Sequence, residues 1–232
     1  MTFDPYYVIV TGIRNVIYFG GGGGGAPGGG YDTSVNPDLG IEGPPPPLVA
    51  IVNNIGNCSS AAGMAVKVAG LITGDSLSGP SAPLVSANGR TWRDVEFGST
   101  IVRMSGGRFG TIGDAIFSSD NSERNSLPQD AYADVVGVVH NHSGYSADPF
   151  ANAISYPSYY PDGSGDWAAL EEYRKLMMGI SAVPDPSLFI IDPRGIVREF
   201  KLSEKAYFIG LTDEQKRAGI GLAGRERTDR CN

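Results

Sequence analysis

Val135-Val136-Gly137-Val138-Val139-His140-Asn141-His142 is the stretch on which the reading of this chain turns. A short continuous apolar run of this kind suits a strand buried on both faces, and it ends in the only two histidines of the sequence. On a strand, residues i and i+2 point to the same face with Cα atoms about 6.6 Å apart, twice a rise of roughly 3.3 Å. Two imidazoles so placed can converge on one metal ion. A catalytic zinc site commonly has three protein ligands and leaves a fourth position for water, and with histidine exhausted the third ligand must be a carboxylate or a thiol. Asp166 is the best-placed candidate, because it opens a predicted helix that can hold its carboxylate. Asp148 and Asp162 stand closer in sequence but in a Pro-, Tyr- and Ser-rich loop. The plain alternatives are a polar strand end facing water, and an Asp stabilised at a helix start by the helix dipole alone.

Outward from this strand, the order of elements is that of an α/β domain with a mixed or mostly antiparallel sheet. Residues 58–72 are alanine-rich with apolar residues at helical spacing, Asn57 is a candidate N-cap and Gly74 a candidate stop. Val95–Met104 and Arg108–Ile112 read as a hairpin joined at Ser105-Gly106-Gly107. Trp167–Met178 reads as a helix, with acidic residues early and Arg174-Lys175 late. Ser187–Ile191 and Gly195–Lys201 read as paired strands about the turn at Asp192-Pro193-Arg194-Gly195. Tyr6–Val10 and Asn15–Phe19 have strand composition, suited to a small hairpin or an added edge strand. We divide the chain into a Gly- and Pro-rich arm and linker over residues 1–48, a domain over 49–202, and a helical tail over 203–232.

Composition narrows the classes of function. Glycine supplies 33 of 232 residues, and the Gly and Pro runs between Phe19 and Leu48 cannot build a core. Lys plus Arg number 18 against 25 Asp plus Glu, a formal charge of −7. That balance argues against nucleic acid as a partner, whose recognition rests on clustered basic charge. Contiguous His140-Asn141-His142 also does not make the nuclease motif of the same letters, whose residues are spread over a hairpin and a helix. No apolar run approaches the length of a membrane span, and the first residues lack the features of a secretory signal. The expectation is a cytoplasmic product, or one exported without such a signal. Two cysteines, Cys58 and Cys231, are too few for a disulfide framework, and their pairing stays open.

Glu96-Phe97-Gly98 at a strand start, Val138-Val139-His140-Asn141-His142 at a strand end and Ser164-Gly165-Asp166 opening a helix resemble the JAB/MPN metalloprotease family with its JAMM motif. Within that family the resemblance is to bacterial JAB-like domains of unknown function and toxin-like JAB modules. The resemblance runs over about Asn57–Lys201. It implies a JAB/MPN-like mixed, mostly antiparallel sheet flanked by helices. It implies zinc bound by His140, His142 and Asp166, Glu96 as general acid–base toward the attacking water, and Ser164 as a support for the oxyanion. Two departures stand out: one residue, not two, separates Ser164 from Asp166, and the long segment 143–165 intervenes between His142 and Asp166. Ser158 and Ser143 are therefore rivals to Ser164.

The function implied is a zinc-dependent peptidase or isopeptidase, in the manner of an effector or toxin module, with a peptide or protein substrate and an immunity or carrier protein as a further partner. The competing classes are an inactive JAB-like binding domain and a structural piece of a secretion or phage assembly. Residues 143–165 carry Tyr145, Phe150, Tyr156, Tyr159 and Tyr160. Their aromatic share suits a loop that grips an extended peptide, the alternative being aromatics that pack on the sheet. Substrate and oligomeric state are left open by the sequence.

Overall fold

The computed structural model describes residues 16–20, 49–50, 55–74, 82–86, 89–112, 116–118, 124–128, 134–177 and 185–231. The proposed strand Tyr6–Val10, the glycine runs and the proline run lie outside them. In chain order the elements are β1 (Val16–Gly20), β2 (Val49–Ala50), α1 (Ala61–Thr73), β3 (Phe97–Arg103), β4 (Phe109–Thr111), β5 (Phe117–Ser118), β6 (Arg124–Pro128), β7 (Asp134–Asn141), α2 (Ala151–Ile154), α3 (Asp166–Met177), β8 (Ser187–Ile191), β9 (Val197–Lys201), α4 (Lys205–Ile209), α5 (Asp213–Arg217) and β10 (Glu226–Arg227). The main sheet runs β10-β9-β8-β7-β3-β5-β2, with β4 also on β3, while β1 and β6 form a separate antiparallel pair. The strand expected near Asn15–Phe19 is thus present, with residues 124–128 as its partner.

Pairing in the main sheet is antiparallel except between β7 and β8. A parallel pair needs a long crossover, usually helical, and here the crossover contains α2 and α3. The result is a mixed α/β architecture with a mostly antiparallel sheet and helices on both faces.

Helix α1 starts later than the sequence suggests. Cys58 forms a β-bridge with Phe109, which keeps the chain extended there, and Ser60 is the N-cap in place of Asn57, its Oγ accepting the Gly63 N–H at 2.9 Å. Gly74 closes the helix in the left-handed conformation. On this side of the sheet Met64, Ala65, Val68, Ala69 and Ile72 of α1 pack with Phe97, Ile101, Val136, Val139, Phe189 and Ile191. On the other side Trp167 and Leu170 of α3 pack with Val102, Val135, Val138, Leu188, Ile190 and Phe200.

Phe208 and Leu222 also join this second cluster, so the segment after residue 202 completes the interior of the domain. Tyr156 of the 143–165 segment does the same, its hydroxyl donating to the Ile220 carbonyl at 2.7 Å.

Strand β7 carries a bulge that sets which way its later residues face. Ile101 pairs with Gly137 but the next residue, Val102, pairs with Val135, leaving Val136 extra. As a consequence Val135 and Val138 lie in the α3-side core, and Val136 and Val139 in the α1-side core. Past the bulge, simple alternation puts His140 with Val138 on the α3 side and Asn141 with Val139 on the α1 side.

The two cysteines are joined: Cys58 and Cys231 form a disulfide spanning 173 residues. It fastens the end of the described chain to the α1 side of the domain. No helix among the described residues is long and apolar enough to cross a membrane.

Candidate metal centre

His140, Asn141 and His142 sit where β7 leaves the sheet. Asp166 opens α3, and its buried carboxylate meets both imidazoles. His140 Nε2 lies 3.2 Å from Asp166 Oδ1, His142 Nε2 lies 3.1 Å from Asp166 Oδ2, and the two Nε2 atoms are 3.1 Å apart. All three side chains are buried. The sequence expectation that these residues converge is met.

Several groups outside the triad hold it in this arrangement. The Nδ1–H of His142 donates to the carbonyl of Ile154, the last residue of α2, and the His142 main-chain N–H donates to Ile191 at 3.1 Å. Asp166 Oδ2 accepts the Ser158 N–H at 2.7 Å, and the Asp166 N–H donates to Ser158 Oγ at 3.0 Å. Ser158 therefore orients the carboxylate and satisfies the first N–H of α3 together. The approach is tight: Gly165 has φ +104°, and a Cβ there would stand 2.8 Å from the Ser158 carbonyl oxygen. The helix N-terminus further favours the ionised carboxylate.

Electrostatics in this buried cluster depend on who supplies positive charge. Burial would raise the pKa of Asp166, but the charges and hydrogen bonds of His140 and His142 hold it well below the usual carboxylate range. Burial pushes His140 down, outweighing Asp166. Burial opposes the charged form of His142 too, yet its bonds to Asp166 and to the Ile154 carbonyl leave its pKa raised.

With Nδ1–H of His142 committed to Ile154, a neutral His142 presents only a lone pair at Nε2, facing the lone pairs of a carboxylate. An Nε2–H on His140 can serve only part of this meeting of lone pairs, and the buried carboxylate charge favours a cation or an extra proton at its centre. The donor set suits a divalent metal. Ligand atoms in a tetrahedral zinc site, each roughly 2.0–2.1 Å from the ion, are about 3.3–3.4 Å from one another. Here the two imidazole nitrogens are 3.1 Å apart and each approaches its own carboxylate oxygen to 3.1–3.2 Å, and one ligand atom from each of the three residues can be chosen so that all lie within 4.8 Å. An Nδ1–H bonded to a carbonyl is also the usual way a ligating histidine is fixed. His140, His142 and Asp166 thus form a group that could hold a metal ion.

Glu96 is buried immediately before β3. The ladder pairs Gly98 with His140, so alternation places Glu96 and Gly98 on the histidine face, with no side chain on Gly98 to fill the space opposite His140. The neighbouring Phe97 is in the α1-side core.

Ser164 is placed differently from its expected role. It is exposed, and its Oγ donates to Asp162 Oδ1 at 2.6 Å. Asp162 is likewise exposed, and Asp148 accepts the Phe150 N–H in a local turn. Of the serines considered, Ser158 is the one bonded to the triad. In sequence it is only a rival to Ser164, because it lies eight residues before Asp166, as part of a loop whose path only the tertiary fold sets. Asn141, to which the sequence assigns no role, bonds with the chain around Glu96.

No family model, no curated protein and no solved structure matches this chain.

Proposed function

We propose that the protein is a zinc-dependent peptidase or isopeptidase of the JAB/MPN type, hydrolysing an amide bond with an activated water. The observation that carries this reading is the buried meeting of His140, His142 and Asp166, with Glu96 on the same sheet face. A two-imidazole, one-carboxylate set is of the kind used by hydrolytic zinc enzymes. Zinc held there would lower the pKa of a water to about 7 and polarise the carbonyl under attack. Glu96 takes the proton from the water and returns it to the departing amine. Ser158, against Asp166, is the serine best situated to support the developing oxyanion.

The substrate in this reading is a peptide or protein. Within the 143–165 segment Tyr145, Phe150 and Tyr159 are exposed while Tyr156 is buried, so the first three are the ones available to grip an extended chain.

Metal analysis of protein purified without chelator tests the reading. About one zinc per chain is expected, and none in the His140→Ala, His142→Ala double variant. Glu96→Gln should keep its zinc and lose hydrolysis of a peptide library by a factor on the order of 10²–10⁴. Unchanged zinc in the double variant would sink the proposal, as would full activity of Glu96→Gln.

A further inference from the structure

We propose that Asn141 is a positioning residue that sets where the Glu96 carboxylate stands relative to His140, His142 and Asp166. The inference rests on the hydrolytic role proposed for Glu96. Asn141 is buried and points to the opposite sheet face from the two histidines it joins. Its Nδ2 donates to the Trp92 carbonyl at 2.6 Å and to the Val95 carbonyl at 3.0 Å, and its Oδ1 accepts the Phe97 N–H at 2.7 Å.

Val95 and Phe97 are the neighbours of Glu96 on either side. The main chain flanking the proposed base is therefore gripped by one side chain, whose own peptide bonds lead to both histidines.

The sheet does not do this by itself. Pairing of β3 with β7 ends at Gly98 and His140, and the residues from Trp92 to Val95 form a turn closed by Asp94 N–H and Val95 N–H on the Thr91 carbonyl. Beyond Gly98 the Asn141 amide continues the connection from β7. The chemistry of the three contacts is selective: two donors and one acceptor, on a short planar group, are what an asparagine offers. Aspartate would turn a charged acceptor toward two carbonyls. Leucine would leave three buried main-chain groups unpaired, a costly arrangement.

Asn141→Thr and Asn141→Ser, each able to keep one donor, test the assignment beside wild type and Glu96→Gln. Crystal structures of the metal-free proteins should show the Glu96 carboxylate displaced in the Asn141 variants with His140, His142 and Asp166 in place. Titration with Co(II) should still give one ion per chain, with a visible spectrum altered as in Glu96→Gln. Adding Asn141→Thr to Glu96→Gln should then change that spectrum no further, since coupled residues are not additive. On a peptide-library substrate the Thr variant should lose on the order of 10²-fold in kcat with little change in KM, as expected of a misplaced catalytic group.

An unmoved Glu96 or an additive spectral change would overturn the proposal. So would loss of fold and Co(II) together in both variants, which would make Asn141 a folding residue. If wild type itself takes no Co(II), the hydrolase reading fails, and the position of Glu96 in the metal-free crystals still decides the role of Asn141.

Discussion

The two faces of the central sheet are built from the same strands and solve opposite problems. Toward α1 the buried residues are nearly all apolar, and Met64, Val68, Ile72, Val139, Phe189 and Ile191 need only fit together. Toward α3 an equally buried face contains two imidazoles and a carboxylate within hydrogen-bond distance of one another. Dense apolar packing stabilises the first without further conditions, whereas the second is stable only when its charge is balanced. Stability and chemistry are thus separated by the thickness of one strand, with Val139 and Asn141 on one side and His140 and His142 on the other.

That separation can be broken experimentally, and the largest expected effect lies in the covalent tie. Loss of the 173-residue bridge between Cys58 and Cys231, on a chain-entropy model, costs about 5 kcal/mol of unfolding free energy. Urea denaturation with and without reductant should show this, with zinc content unchanged below the transition. Equal midpoints would show that the bridge contributes nothing.

Next in size is Met64→Ala, which removes a fully buried side chain from the α1 side. It should cost about 2–5 kcal/mol while the folded variant takes up as much metal as wild type. Loss of metal at full stability would erase the distinction between the faces.

The smallest effect comes from the acidic groups of the C-terminal segment. Arg225 reaches Glu204 through two contacts of 2.7 Å, and these bonds hold the Glu204 carboxyl below its ordinary value of 4.5. A carboxyl lowered in the folded state contributes stability that is complete above its unfolded pKa and is lost as pH falls through the folded one. The difference in urea midpoint between wild type and Glu204→Gln, both metal-free, should therefore be small at pH 7 and shrink further below about pH 4.5. A difference that grows with acid would reverse the assignment.

How much of this was legible beforehand follows from the range of the forces involved. Ser187–Ile191 as a strand, the turn at Asp192 and the strand ending at Lys201 were readable because a hairpin is specified by neighbours in sequence. The alanine-rich α1 and the apolar β7 were readable from period and composition. Asp166 could be chosen because a helix start is a local signal.

Asn57 has the composition of a cap but Ser60 is the cap of α1, because the bridge from Cys58 to Phe109 is a tertiary contact that no local signal announces. The resemblance points to Ser164 and its spacing from Asp166 already speaks against it, yet only the path of the loop shows that Ser158 is the serine brought to Asp166. The pairing of Cys58 with Cys231 could not be deduced from two letters so far apart. Asn141 was visible throughout, but only its bonds to Trp92, Val95 and Phe97 give it a meaning.

The bulge at Val136 turns β7 into a strand with two conventions. Before it, odd-numbered Val135 belongs with α3; after it, even-numbered Val138 and His140 do. Anyone grafting this His-His-Asp cluster onto another sheet, counting sides from the first residues of the strand, would place both histidines in the wrong compartment. A single-residue deletion at Val136 is in the same sense no change of address, since Val135 and Gly137 already pair with Val102 and Ile101 around it. The same deletion placed at Val139, where the ladder is regular, alters no ligand yet would send His140 and His142 toward α1 and bring Asn141 round to face Asp166.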